Sequence, residues 1–177
     1  MTEFAYDRLW MQVAIDLSGR CPPVDTAYSV GAIIVGADGT ELARGYSRET
    51  DRYVHAEEVA LAKIRGDERL AGATLYSTLE PCSVRKSRPV TCTELILAAR
   101  IRRVVLALRE PPLFVTCEGV GLLQARGVEV VELTDLADQI RVINARVLTP
   151  ARLSAASHVA TSPGRRSAHL DATPLRE

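Results

Sequence analysis

The chain has 177 residues, 47% hydrophobic and 25% charged, the mix of a soluble globular protein of about one domain. Lys and Arg total 22, Asp and Glu total 22, and the formal net charge is 0. A chain built to grip a polynucleotide backbone carries a surplus of cations, so nucleic acid is disfavoured as a partner. The longest apolar run, Val30 to Ala37, falls far short of the ~20 residues that cross a bilayer, so no membrane partner is expected.

Trp10, Val13, Ala14 and Leu17 recur at helical spacing and predict an amphipathic helix ending near Gly19. Cys21-Pro22-Pro23 breaks it. The β-branched run Ser29 to Val35, the turn signal Asp38-Gly39 and the run ELARGY predict a hairpin. A helix is expected from about His55 to Ile64, with Ala56, Val59, Ala60 and Ile64 facing inward. A strand follows at Ala73 to Thr78, then a helix from Cys92 to Arg100 and a strand from Arg103 to Leu108. A short helix near Gly119 to Ala125 and a strand from Val128 to Glu132 come next. Leu136, Ile140, Ile143 and Val147 mark a closing helix before Pro150. Strands alternating with helices imply parallel βαβ units with helices on both sheet faces. Residues 1–149 are read as the folded domain. Residues 150–177, rich in Ala, Ser, Pro and Arg and without periodicity, are read as a flexible tail.

The chemistry concentrates in His55-Ala56-Glu57, Pro81-Cys82 and Cys92. The only other histidines, His158 and His169, lie in the tail, so a mechanism needing two histidines in the folded body is excluded. One imidazole and two thiolates suit Zn²⁺, and three protein ligands leave a position open for water, as in catalytic sites. Thr91-Cys92-Thr93-Glu94 has the form of a capping box. It puts Cys92 at the first helical position, where the helix dipole favours a thiolate. His55 opens the preceding helix. Glu57, two residues on, does not share a helix face with it. Both reach one centre only if that centre lies beyond the helix N-terminus, where α/β proteins place ligands. A carboxylate there can move the protons of a hydrolysis. The four cysteines, with no secretory leader in MTEFAYDRLWMQVAI, are expected to be thiols or ligands in a cytoplasmic protein before they are disulfides. Cys21 and Cys117 fit no ligand spacing.

These motifs resemble the cytidine-deaminase-like superfamily, whose signature is H-x-E followed by P-C-x-x-C. Nine residues separate Cys82 from Cys92 in place of two. That insertion, the run Thr78-Leu79-Glu80-Pro81-Cys82-Ser83 and the continuation TELILAARIRRVVLALREPP are similar to the deaminase half of the bifunctional riboflavin-biosynthesis deaminase/reductase. The resemblance covers roughly residues 4 to 148, without a reductase domain. It implies a three-layer α/β/α sandwich around a mixed sheet of about five strands. It also implies one Zn²⁺ per chain, held by His55, Cys82 and Cys92, with Glu57 catalytic. The implied reaction is hydrolytic deamination of an aminated pyrimidine-type ring: water adds at the carbon bearing the amino group, Glu57 passes the proton on, and ammonia leaves.

Substrate contacts are expected from the backbone near Ala56, from Glu110, and from Arg85, Lys86 and Arg88, whose charge would suit a phosphorylated heterocyclic amine. Tyr28, Tyr46 and Tyr53 flank the pocket, where stacking on a ring and packing into the core account for them equally well. The chain departs from that branch at Ala27-Tyr28-Ser29, where an Asn-Pro is usual, and at Glu110-Pro111-Pro112-Leu113, where Asp-Pro-Asn-Pro is usual. A cytidine or deoxycytidylate deaminase, or a deaminase of a specialised heterocycle, is the alternative. A non-catalytic zinc module and a metal-free thiol enzyme using Cys82 and His55 are other readings. Relatives of this kind are often dimers or tetramers.

Overall fold

The computed structural model describes residues 3–114 and 116–149. The chain opens with helix α1 (Glu3–Ser18) and continues through strands β1 (Gly31–Val35) and β2 (Glu41–Tyr46) to helix α2 (Ala56–Lys63). Strand β3 (Thr74–Leu79), helix α3 (Cys92–Ala98), strand β4 (Arg103–Leu108), helix α4 (Gly119–Ala125), strand β5 (Glu129–Glu132) and helix α5 (Ala137–Ile143) follow. Two 3₁₀ turns, Glu68–Gly72 and Thr134–Leu136, complete the described elements, and the second takes Leu136, which the apolar spacing assigns to the closing helix. The expected tail lies outside the described residues. No helix among them is long and apolar enough to cross a membrane.

The five strands form one mixed sheet in the order β2-β1-β3-β4-β5. The β3, β4 and β5 strands are parallel, as the alternating pattern predicts. The first strand differs: β1 runs antiparallel to both β2 and β3. The hairpin at Asp38-Gly39, with Gly39 at φ +81°, reverses the chain, so β1 wedges between β2 and β3 and α2 bridges over it. Periodicity reports which strands are apolar and is silent on which neighbour each one takes.

One helical layer contains α1 and α5, and the other runs from α2 on β1 and β2, through α3, to α4 on β5. β1 is buried throughout, whereas the edge strand β2 is buried at only two positions, as expected of central and edge positions. Two glycines let the layers approach. A Cβ on Gly31 would lie 2.0 Å from the Ala14 carbonyl, against α1; one on Gly45 would lie 2.5 Å from the Ala56 carbonyl, against α2. Gly45 thereby sets the seat of the helix that follows His55. The closing helix is shorter than its apolar spacing predicts: α5 ends at Ile143 and Asn144 caps it, while Val147 is buried from the turn beyond.

A buried ion pair ties α1 to the sheet. Asp7, 2% exposed, accepts from Arg103 Nη1 and Nη2, both at 2.8 Å, and from the Tyr76 hydroxyl at 2.9 Å. Removing one partner of such a pair strands the other in a medium that solvates it poorly. Asp7→Ala is therefore expected to lower the unfolding free energy in urea by about 3 kcal/mol. By contrast, Asp135→Ala, which deletes the exposed partner of Arg8, should change it by less than about 0.5 kcal/mol.

Candidate active site

The carboxyl ends of β3 and β4 and the starts of α2 and α3 meet at one end of the sheet, where open α/β sheets form ligand crevices. His55 is the residue before α2, with extended backbone (φ −91°, ψ 158°). This explains how it and Glu57 reach one centre: His55 projects from the cap and Glu57 from the second helical position. Cys92 is the first residue of α3, and Thr91 caps that helix by accepting from the Glu94 N–H, as the capping box predicts. Cys82 follows the end of β3 by three residues. The Thr93 hydroxyl lies 3.0 Å from the Cys82 carbonyl, and the Thr93 N–H donates to that carbonyl at 3.2 Å. The turn carrying one sulfur is thus locked to the helix carrying the other.

The ligand atoms of His55, Cys82 and Cys92 lie within 4.8 Å of one another. His55 Nδ1 is 3.5 Å from Cys82 Sγ and 3.4 Å from Cys92 Sγ. Tetrahedral zinc with its usual bond lengths sets nitrogen and sulfur ligands about 3.6 Å apart, so the trio fits one ion. The electrostatics agree. A hydrogen bond from the Cys92 thiol and the neighbouring imidazole pull Cys82 down to about 4, against the effect of burial. Cys92 is pushed far up by Cys82, by burial and by Glu57. One negative charge is inexpensive in this cluster; a second needs a cation among the sulfurs.

Glu57 is 3% exposed. Burial pushes its pKa up, although His55 pulls the other way. Its Oε2 lies 3.4 Å from Cys92 Sγ, and its Oε1 lies 2.9 Å from Ser77 Oγ. That hydroxyl is also 2.8 Å from the Leu79 carbonyl. A hydroxyl has one proton. Ser77 donates it to Glu57 Oε1, a bond that favours the ionised carboxylate and opposes the effect of burial. Ser77 was not singled out in the sequence, and its signal was weak: a small polar side chain on the α2-facing side of an apolar strand. Glu80, also without an assigned role, is buried, and its carboxylate accepts from the Val120 N–H at 2.8 Å and the Glu110 N–H at 3.2 Å. It fastens the loops after β3 and β4 to the start of α4.

A cavity of about 580 Å³ opens over His55, Glu57 and Cys82, and Tyr28, Arg48, Arg52, Tyr53, Arg85, Lys86, Glu110 and Phe114 are also on its walls. The expected substrate contacts divide. Lys86 and Glu110 line it, and the Glu110 carboxyl is pushed up to about 7, first by burial and then by the Cys82 sulfur. Arg85 also reaches it, but its side chain is 3% exposed and engaged with Glu58 at 3.0 Å and the Tyr53 carbonyl at 2.8 Å. Arg88 turns away, pairing with Asp51 and Glu58 and bordering a second cavity of about 430 Å³ between α2 and α3. Ala56 is fully buried under the cluster, and Tyr46 is absent from the cavity wall. Two of the three insertion cations thus clamp the loop to the first turn of α2 through Glu58. The sequence showed the charges and could not show their counter-ions.

Residues 5–108 match the family model of the cytidine and deoxycytidylate deaminase zinc-binding region. The chain is 43% identical over 132 residues to the diaminohydroxyphosphoribosylamino-pyrimidine deaminase of Schizosaccharomyces pombe, covering 73% of this chain and 32% of that one. It is 36% identical over 128 residues to the riboflavin biosynthesis protein RibD of Aquifex aeolicus, covering 70% and 34%. Among solved structures, form 2 of Acinetobacter baumannii RibD superposes with a TM-score of 0.73 at 32% identity, over 83% of this chain and 40% of that one. The chain spans about a third of the length of these curated relatives. Signature, fold and zinc-compatible cluster therefore coincide with one family, and the chain belongs to the family of the cytidine and deoxycytidylate deaminase zinc-binding region.

Proposed function

We propose that this chain is a zinc-dependent hydrolytic deaminase acting on a diaminopyrimidine that carries a ribosyl phosphate, the substrate class named for its Schizosaccharomyces pombe relative. The observation that carries the reading is the set of distances around His55 Nδ1, with a buried carboxylate 3.4 Å from one sulfur. His55, Cys82 and Cys92 are the proposed metal ligands. Zinc held by them would supply Lewis-acid activation of a water.

The rest of the chemistry belongs to the chain. Glu57 Oε1 is held by Ser77, so Oε2 is the oxygen that moves protons. It accepts one as water adds to the ring carbon and returns it to the departing nitrogen. The balance is ring C–NH2 plus H2O giving ring C=O plus NH3. The buried setting raises the proton affinity of Glu57 toward that needed of a group that both takes and gives a proton near neutrality. Tyr28 and Phe114 offer ring faces on the cavity wall, and Glu110 offers a carboxyl to the polar edge of the heterocycle. Lys86 is the insertion cation left to meet the phosphate, since it lines the cavity and Arg85 and Arg88 are engaged with Glu58 and Asp51.

Glu57→Gln is expected to retain one zinc per chain by elemental analysis while ammonia release falls at least ~1000-fold; full turnover by this variant would remove the proposed role. Ser77→Ala deletes a hydrogen bond that lowers the pKa of Glu57. The base must be ionised to act, so the acidic limb of the pH–rate profile should move to higher pH. An unmoved limb would place the working carboxylate elsewhere. Lys86→Ala should raise KM for the phosphorylated substrate roughly tenfold and leave kcat nearly unchanged, since hydrogen bonds to charged groups contribute about 1.5–3 kcal/mol. Arg88→Ala should alter KM less than about twofold.

A further inference from the structure

Arg48 combines two costly features that the proposed chemistry does not use. Its backbone is left-handed (φ +65°), a conformation that L side chains occupy at a cost. Its buried guanidinium is spent on uncharged oxygens: Nε donates to the Pro22 carbonyl, Nη1 to the Tyr28 carbonyl and Nη2 to Ser29 Oγ, each at 2.9 Å. The Arg48 N–H donates to the Val54 carbonyl at 3.0 Å, one residue before His55. A single side chain thus straps the segment 22–29 to the loop that enters α2. The far end of that segment has its own anchor. Ser29 donates its N–H to Asn144 Oδ1 at 2.7 Å and accepts from Asn144 Nδ2 at 3.1 Å.

The strap continues through Tyr28. Its hydroxyl donates to the Pro111 carbonyl at 3.0 Å, and its ring meets Phe114 edge-on at 5.3 Å. Arg48, Tyr28, Glu110 and Phe114 all line the cavity over the cluster. We propose that Arg48 is a positioning residue for substrate: by pinning the segment 22–29 it sets Tyr28, and through Tyr28 it holds the loop Glu110–Phe114 as a closed cavity wall. The planar fork spreads its donors over three nitrogens, one for each oxygen; an ammonium at this position keeps the charge and loses that spread.

The catalytic arm of the test rests on the deaminase reading; the exchange arm does not. In zinc-loaded Arg48→Lys, hydrogen exchange at Leu113, whose N–H donates to the Pro111 carbonyl, should accelerate roughly tenfold, although Arg48 makes no hydrogen bond to that loop. Zinc content should stay at one per chain. With diaminohydroxyphosphoribosylaminopyrimidine as the probe, KM should rise roughly tenfold with kcat within about twofold of the parent. Tyr28→Phe, which keeps the ring and loses the Pro111 bond, should give the same two signs. The double variant should show less than the sum of the single effects, as expected of one physical chain of contacts. Unchanged exchange at Leu113 in Arg48→Lys, or fully additive effects, would overturn the proposal. So would loss of zinc in parallel with the rise in KM, which marks a general loosening of the fold. If Arg48→Lys does not fold, Tyr28→Phe decides on its own by the exchange at Leu113. If the probe is not turned over by the parent chain, the deaminase reading falls and the exchange result still decides the strap.

Discussion

Two thiols and an imidazole within 4.8 Å of one another, buried at the end of a sheet, form the constraint around which the structure is organised. In such a place a single thiolate is stabilised by its neighbours, and a second suffers both burial and repulsion. A divalent cation reverses that balance, because coordination removes the proton and supplies the compensating charge in one event. The donor set therefore selects a metal on chemical grounds. The metal in turn rewards the convergence of a helix cap, a post-strand turn and a helix start.

The surroundings of the cluster consist of paired polar groups, most of them buried. Glu57 rests on Ser77, Glu80 collects two backbone N–H groups, and Glu58 receives Arg85 and, at the ring of the insertion, Arg88. Each contact crosses between elements distant in the chain. A buried polar group left unmatched would cost more than its hydrogen bond contributes, so these contacts leave little freedom in how the loops over the cavity sit. The long insertion between the sulfurs is held in the same way, by carboxylates of the segment 51–58, and it brings Lys86 to the cavity.

The other readings of the motifs weaken on specific placements. A closed structural zinc site needs a fourth protein ligand. Among the described residues, Cys21 turns its sulfur to the Val30 carbonyl and Cys117 turns its own to the Pro81 carbonyl, and neither joins the cluster. A metal-free thiol enzyme would pair Cys82 with His55, and that contact exists at 3.5 Å. The second sulfur, equally close to the same ring nitrogen, has no part in such a mechanism and is accounted for by a metal.

The sequence by itself determined the element types, the single usable histidine, the H-x-E and P-C motifs and the helix start at Cys92. These features are local: apolar periodicity, turn residues and a capping box act over a few neighbours. The tertiary structure alone decided that β1 runs against β3, that Ser77 sits beneath Glu57, that Arg85 and Arg88 belong to Glu58 and Asp51, and that Arg48 reaches back to Pro22 and Tyr28. A charge in a sequence has a sign and no partner; the partner is set by which strands pair, and that pairing comes from burying the whole apolar surface at once.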